Sequence, residues 1–363
     1  MGVQRLTVGQ LAPEQWPAVV ERGPLLIEGR TRDALAALPD DSIDAVMTSP
    51  PYWAVRRYDG GSTLGEEATP EEFVDNLVAE LAELPRVLKP SGSFWLNLGD
   101  TYREKSLAGV PWRVAFRLQE DVWLLRNAVV WDKVKGNPDN AKDKLRNVYE
   151  FVFHFVRSKS YFYDADAIRT PAAAAKIVNG RVVTPTGVSG INYRRQIERS
   201  RALTPGEQAE ALAALEEALD KVRRGELSDF RMIIRGQQRT THSNAEAVSG
   251  RAAEINKRGF CVLPYHPKGS KPGDVWHIVP EDDWRVDAHA AVFPQDLCRL
   301  PILATCPVGG VVLDPFAGTG TALTVAVATG RRAVGIDVSR DYLDIAEQRL
   351  QATPVDPVRL AVA

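Results

Sequence analysis

The chain has 363 residues, 44% of them hydrophobic and 25% charged, which suits a full α/β core with a second, smaller module. No apolar run approaches the roughly 18 residues a membrane span needs, and the first ten residues lack a signal-peptide core, so the expected location is cytoplasmic. The net charge of −2 hides an asymmetry: residues 176–271 hold 17 Lys and Arg against 10 Asp and Glu, a local +7 that leaves −9 elsewhere.

Residues 1–24 read as a loosely attached lead-in. Leu25-Leu26-Ile27 is a short buried strand, residues 33–38 a helix, and residues 43–47 a parallel-type strand ended by Pro50-Pro51. Thr69-Pro70-Glu71-Glu72 is a helix start, with Thr69 as cap, Pro70 in the first turn and Glu72 reaching back. Phe73, Val74, Leu77, Leu81, Leu84 and Leu88 then keep one apolar face until Pro90 stops the helix. Strands are expected at 93–98, 124–131 and 151–156, with a helix near 110–119.

The alternation breaks after Tyr163. Residues 164–265 form an inserted basic region whose clearest helix, 204–224, opens with Thr204-x-x-Glu207. Regular alternation resumes in 266–352, with strands at 311–313 and 333–336 and helices after Gly320 and from Ser339; residues 353–363 are a tail. Residues 25–163 and 266–352 together imply one doubly wound α/β sheet built from both ends of the chain.

Three scattered cysteines (Cys261, Cys298, Cys306) form no C-x-x-C pair, and the five histidines form no ligand cluster, so no metal is expected. Cys306 precedes Pro307 rather than following a proline, which disfavours a Pro-Cys nucleophile for methylation at a ring carbon.

Residues 311–321 place a Gly-rich turn between a strand and a helix. Gly318 and Gly320 let the backbone approach a ligand at the carboxyl edge of the sheet, and Asp337 ends the next strand, where an acid can accept from both hydroxyls of a ribose. The turn is neither G-x-G-x-x-G nor a P-loop, which demotes nicotinamide and ATP. Thr48-Ser49-Pro50-Pro51-Tyr52-Trp53 follows its strand directly. Two prolines make the turn rigid and leave bare carbonyls beside a hydroxyl and two aromatic faces. Pro-Pro alone can simply end a strand, but the combination suits chemistry on an extruded base. Trp53 can be core or pocket; Trp95, Trp112 and Trp131 lie in apolar patterns and read as core.

The segments 48–53 and 314–320 together resemble the amino-methylating DNA methyltransferases. With the chemistry loop first and the cofactor loop last, the order resembles their β group, whose sheet is circularly permuted. Thr-Ser-Pro-Pro-Tyr resembles the N4-cytosine signature in particular; adenine enzymes more often have Asp in place of Ser49. The similarity covers roughly residues 25–165 and 262–352, including Trp95-Leu96-Asn97-Leu98-Gly99-Asp100, Asp274-Val275-Trp276 and residues 289–294.

The resemblance implies a Rossmann-like fold dependent on S-adenosylmethionine, with the insert as a target-recognition module. Ser49 and the Pro50 carbonyl would accept hydrogen bonds from the amino group, Pro51 would complete the rigid catalytic turn, and Tyr52 would stack on the flipped base. Asp314, Pro315, Phe316, Gly318, Gly320, Asp337 and Pro294 would hold the cofactor. Gly29-Arg30 departs from the family's Gly-Asp, so that either Asp33 takes over the acid's role or the contact is absent. DNA is the expected partner, with a separate restriction endonuclease as a further possibility. Arg194, Arg195, Arg235, Arg239, Arg251, Lys257 and Arg258 are its candidate contacts, and Gln237-Gln238-Arg239 and His242-Ser243-Asn244 its candidate base readers. The alternatives are the same reaction on adenine N6 and a silent DNA-binding regulator.

Overall fold

Strand and helix alternate along both ends of the chain in a computed structural model that describes residues 2–54, 64–135, 141–171, 176–178, 181–183, 190–236, 250–280 and 293–354. Two units result, Met1–Ala167 with Gly273–Ala363, and Ile168–Pro272. Among the described residues no helix is long and apolar enough to cross a membrane.

The first stretch supplies β1 (Gln4–Thr7), α1 (Trp16–Arg22), β2 (Leu25–Glu28), α2 (Thr31–Ala37) and β3 (Ile43–Thr48). It continues with α3 (Pro70–Glu80), α4 (Leu84–Val87), β4 (Leu88–Leu98), the small pair β5 (Tyr102–Arg103) and β6 (Ser106–Leu107), and α5 (Val110–Gln119). β7 (Leu124–Asp132) and β8 (Tyr149–Val156) close it. The second unit holds β9 (Lys176–Val178), β10 (Arg181–Val183), α6 (Ile191–Glu198), α7 (Pro205–Arg223), β11 (Asp229–Ile234), α8 (Gly250–Arg258) and β12 (Phe260–Tyr265). The chain then returns as β13 (Val275–His277), α9 (Gln295–Thr305), β14 (Val311–Asp314), α10 (Thr321–Ala328), β15 (Arg332–Asp337) and α11 (Arg340–Ala352).

The main sheet runs β1-β2-β15-β14-β3-β4-β8-β7-β13. β8 is antiparallel to both its neighbours and every other pairing is parallel. Successive residues of a strand point to opposite faces, so a sheet buried on both sides needs unbroken apolar runs. Leu25 and Ile27 join one core with α1, α2, α3 and α5, whereas Leu26 joins a second core with α9, α10 and α11. Val46 and Met47 divide in the same way. Trp95 and Trp131 are buried in the second core and Trp112 packs part-buried on the first.

Three sequence expectations need correction. Residues 1–24 are no loose lead-in: β1 pairs with β2 from Gln4↔Leu25 to Thr7↔Glu28, and α1 buries Trp16 and Val20. Without β1 the largely buried β2 would be a bare sheet edge. The helix expected to run from Thr69 to Pro90 stops at Glu80. Pro85, which has no N–H to give, starts the separate α4, and Pro90 lies inside β4. The β3–β4 register shifts between Ile43↔Leu88 and Ala45↔Ser93, so the missing donor of Pro90 falls in the irregular stretch. The second unit extends past Tyr265 to Pro272, because an antiparallel bridge between Thr170 and Ser270 (N···O 2.9 and 3.1 Å) ties its two ends together.

The second unit packs α6 and α7 on the antiparallel β11–β12 pair around Ile197, Leu215, Phe230 and Phe260. Thr204 and Glu207 cap α7 reciprocally, at 3.2 and 2.8 Å.

Candidate active site

β14 and β3 are neighbours at the centre of the sheet. From β14 the chain crosses by α10 to β15 on one side, and from β3 it crosses by α3 to β4 on the other. Two loops that leave adjacent strands in opposite directions open a crevice at the carboxyl ends. Here those loops are 315–320 and 49–54. A buried bond joins them at the root, where Thr48 Oγ1 donates to Asp314 Oδ1 at 2.6 Å. The Phe316 N–H donates to the same oxygen at 3.1 Å, and Asp314 Oδ2 has no partner among the described residues. Burial pushes the Asp314 carboxyl up to about 7, against the opposing pull of those two donors.

The glycine turn is held from outside and beneath. Asp337 accepts from the Gly318 N–H on Oδ2 and from the Ser339 N–H on Oδ1, each at 2.8 Å. Burial raises its carboxyl pKa while these amides lower it. Gly320 sits at φ +77°, and a Cβ there would come within 2.9 Å of the Ala346 Cβ. The β2–α2 connection closes the third side: Thr31 Oγ1 donates to the Pro315 carbonyl at 2.7 Å, and the Gly29 N–H to the Asp337 carbonyl at 3.0 Å. Arg349 of α11 reaches Thr319 O at 2.7 Å and Thr321 Oγ1 at 3.0 Å from a buried position.

Asp314, Pro315, Phe316, Gly318, Gly320 and Asp337 thus converge. Asp33 is exposed in the first turn of α2, two residues beyond Thr31, and Pro294 is buried at the N-cap of α9. The residues fit an adenosyl-type ligand on two counts. The turn has no side chain at Gly318 or Gly320, and the Asp337 carboxylate keeps acceptor capacity beyond its backbone bonds.

On the other loop, the Tyr52 hydroxyl donates to Glu150 Oε2 at 2.7 Å, with Asn97 Oδ1 at 3.0 Å and Ser49 Oγ at 3.1 Å. Asn97 Nδ2 donates to Glu150 Oε2 and to the Phe151 carbonyl, both at 3.1 Å. Lys133 forms an ion pair with Glu150 Oε1, and its ammonium lies 5.0 Å from the centre of the Trp131 ring. The Tyr52 ring lies against Gly99, where a Cβ would meet its Cε2 at 2.7 Å. Trp53 resolves to the core, buried, with its indole donating to the Glu67 carbonyl at 3.0 Å. Beside the loop lies a cleft of about 390 Å³ lined by Leu98, Asp100, Tyr102, Tyr149, Glu150 and Phe151 among others.

Sequence reading passed over Lys133, Glu150, Thr31 and Arg349. Glu150 carried a signal, since it is an acid inside the aromatic strand Tyr149–Val156, where an unpartnered charge would be costly. The pairings themselves are tertiary.

In the second unit the basic candidates separate. Arg235 spends its guanidinium inside the unit, on Glu207 (2.8 and 3.2 Å) and on the carbonyls of Ile255 (3.2 Å) and Asn256 (3.0 Å). Those bonds hold the Arg235 guanidinium on its own unit. Arg194 pairs with Glu216, and Arg258 with Glu254 (3.3 Å) while covering the Phe260 ring. Arg195, Arg251 and Lys257 are exposed. Arg239, Gln237, Gln238, His242, Ser243 and Asn244 lie outside the described residues. Cys261, Cys298 and Cys306 are each buried.

Residues 43–348 match the model of the N6/N4 DNA methylase family. The type II methyltransferase M.SfiI of Streptomyces fimbriatus is 32% identical over 88% of this chain and 89% of its own. M.XycI of Xanthomonas campestris pv. cyanopsidis is 28% identical over 100% and 97%. In fold the chain is similar to the PvuII cytosine-N4-specific DNA methyltransferase (TM-score 0.51, 17% identity, 93% of this chain and 89% of that one). It is also similar to a DNA modification methylase of Thermus thermophilus (TM-score 0.50, 20% identity, 91% and 95%). A crevice with a glycine turn on one wall and Ser-Pro-Pro-Tyr on the other, together with these matches, makes the chain a member of the N6/N4 DNA methylase family.

Proposed function

We propose that this DNA methyltransferase modifies the N4 amino group of cytosine, after the base has left the duplex. The methyl donor is S-adenosylmethionine, which when bound supplies an electrophilic methyl group. Gly318, Gly320, Pro315, Phe316 and Asp337 would hold it, with Pro294 and Asp33 at its margins.

The amino lone pair of cytosine is delocalised into the ring and is a poor nucleophile. The Ser49 hydroxyl and the Pro50 carbonyl accept its two N–H bonds and draw the nitrogen towards tetrahedral geometry. Both prolines keep that turn rigid, so orientation is set before the reaction, and Tyr52 supplies a face on which the base stacks. No covalent enzyme intermediate is needed. The observation that carries the choice of base is the Ser49 hydroxyl, half-buried and tied to the fixed Tyr52 phenol at 3.1 Å.

Adenine N6 is the second reading, favoured by a 24% identical relative, the DNA adenine methyltransferase YhdJ of Escherichia coli, matched over 90% of this chain. The test supplies the protein with labelled S-adenosylmethionine and mixed-sequence duplex DNA, then digests to nucleosides. Label is expected in N4-methylcytidine; label in N6-methyladenosine overturns the choice. The second unit would recognise the target, with Arg194, Arg195, Arg251, Lys257 and Arg258 on phosphates or bases. The type II names of the relatives support a companion restriction endonuclease.

A further inference from the structure

The hydrogen bonds behind Ser49 have a direction. Tyr52 owns one hydroxyl hydrogen, and the charged Glu150 Oε2 at 2.7 Å takes it, with Asn97 Oδ1 at 3.0 Å as a weaker sharer. In the 3.1 Å bond between Ser49 Oγ and Tyr52 Oη, Ser49 must then be the donor. Ser49 therefore turns lone pairs and no hydrogen towards an entering group, which is what an N–H requires.

The far end of the chain is equally constrained. Glu150 is buried, faced by Lys133 from β7, Asn97 from β4 and Tyr52 from the loop after β3. It also lines the 390 Å³ cleft. A neutral amide would fix the Tyr52 phenol but leave the Lys133 ammonium without its counter-charge, so the carboxylate serves both neighbours. A carboxylate adds the capacity to take a proton.

We propose that Ser49, Tyr52 and Glu150 form a proton relay that drains the amino group during methyl transfer, with Glu150 as the terminal acceptor. The proposal rests on the reading of Ser49 as acceptor of an amino N–H. As the nitrogen bonds to the methyl carbon, the carbon–sulfur bond breaks and its electron pair stays on sulfur. The nitrogen, now cationic, loses one N–H proton to Ser49 Oγ. Ser49 passes its own proton to Tyr52 Oη, and Tyr52 passes its proton to Glu150 Oε2. The base gains a methyl group and loses a proton, and the carboxylate becomes a carboxylic acid that empties to solvent through the cleft.

The test is single-turnover transfer by the full chain onto unmethylated genomic duplex DNA, followed from acid to neutral pH. The wild-type rate is expected to fall on the acid side, where a protonated Glu150 accepts nothing. Glu150→Gln is expected to be about 100-fold slower, in the range of positioned proton transfer, and to lose that acid limb. Glu150→Asp should regain the limb. Tyr52→Phe, which keeps the ring and breaks the relay, should match Glu150→Gln. A Glu150→Gln enzyme that keeps the acid limb or the wild-type rate overturns the relay. Melting temperature and cofactor affinity check the fold of the variant. Should it not fold, the wild-type rate in mixed light and heavy water decides: a curved dependence on deuterium fraction is expected, and a straight line overturns the proposal. Either amino group sheds a proton, so N6-methyladenosine as product would refute the base assignment and leave the relay standing.

Discussion

Asp314→Asn should make one part of the molecule's stability independent of pH. The Asp314 carboxyl is raised from 3.8 to about 7, chiefly by burial. In acid both folded and unfolded chains hold the proton, and the group costs nothing. As pH rises from about 4 to about 7, the unfolded chain ionises while the buried carboxyl stays protonated, so stability falls; beyond that window the penalty is constant. About three pK units at roughly 1.4 kcal/mol each set a ceiling of about 4 kcal/mol on the loss. Asparagine is neutral throughout and keeps Oδ1 for Thr48 and Phe316. Its amide nitrogen replaces the unpartnered Oδ2, a pH-independent cost of about 1–3 kcal/mol. His154 works in the opposite sense, since burial and then Arg126 hold its pKa down at about 3 and it destabilises the fold as pH falls. Both proteins contain it, so it cancels in their difference. All eight tryptophans lie within residues 1–167 and 273–363, so urea melts read by tryptophan fluorescence report that unit. The stability of Asp314→Asn minus that of wild type is expected to climb across this window and then level off. A flat difference would falsify the assignment of a buried, protonated carboxyl.

Tyr52→Ala should abolish methyl transfer and keep most of the cofactor affinity, because Tyr52 lies on the chemistry loop; calorimetric titration with S-adenosylmethionine beside an activity assay separates the two. Asp337→Ala should weaken cofactor binding by about 1.5–3 kcal/mol, having lost a charged acceptor and the clamp on Gly318; unchanged affinity sinks the assignment. Arg235→Ala should lower the stability of the second unit by about 1–3 kcal/mol in thermal melts, because Glu207 and the carbonyls of Ala202, Ile255 and Asn256 lose their donor. Lys257→Ala should instead leave melting unchanged and reduce the salt dependence of DNA binding by about one phosphate; an equal loss of melting temperature in both variants would remove the distinction drawn between them.

Much of the fold was legible because it is local. The apolar run Leu25-Leu26-Ile27 and the stretch 43–47, apolar but for Asp44, are what a sheet covered on both faces demands, and they lie where strands form. Thr69 and Thr204 cap their helices because a hydroxyl and a glutamate three residues on satisfy each other's backbone donors without help from distant chain. The helix running to Pro90 failed where a period of leucines outlasted the helix itself, and Pro85 set the break. The loose lead-in failed because β1 is a polar strand, Gln4–Thr7, that becomes a strand only by meeting β2.

The sequence by itself determined the two loops, since a glycine turn and a double proline impose backbone shape through their own sterics. It also determined their order along the chain. Only the tertiary structure decided that Thr48 meets Asp314 across 266 residues, that Glu150 takes the Tyr52 hydroxyl across 98, and that Arg235 is consumed by Glu207. A side chain's hydrogen-bonding partner depends on which strands lie side by side. That order is set by burying two apolar faces at once, a condition on the whole chain that no window of residues contains.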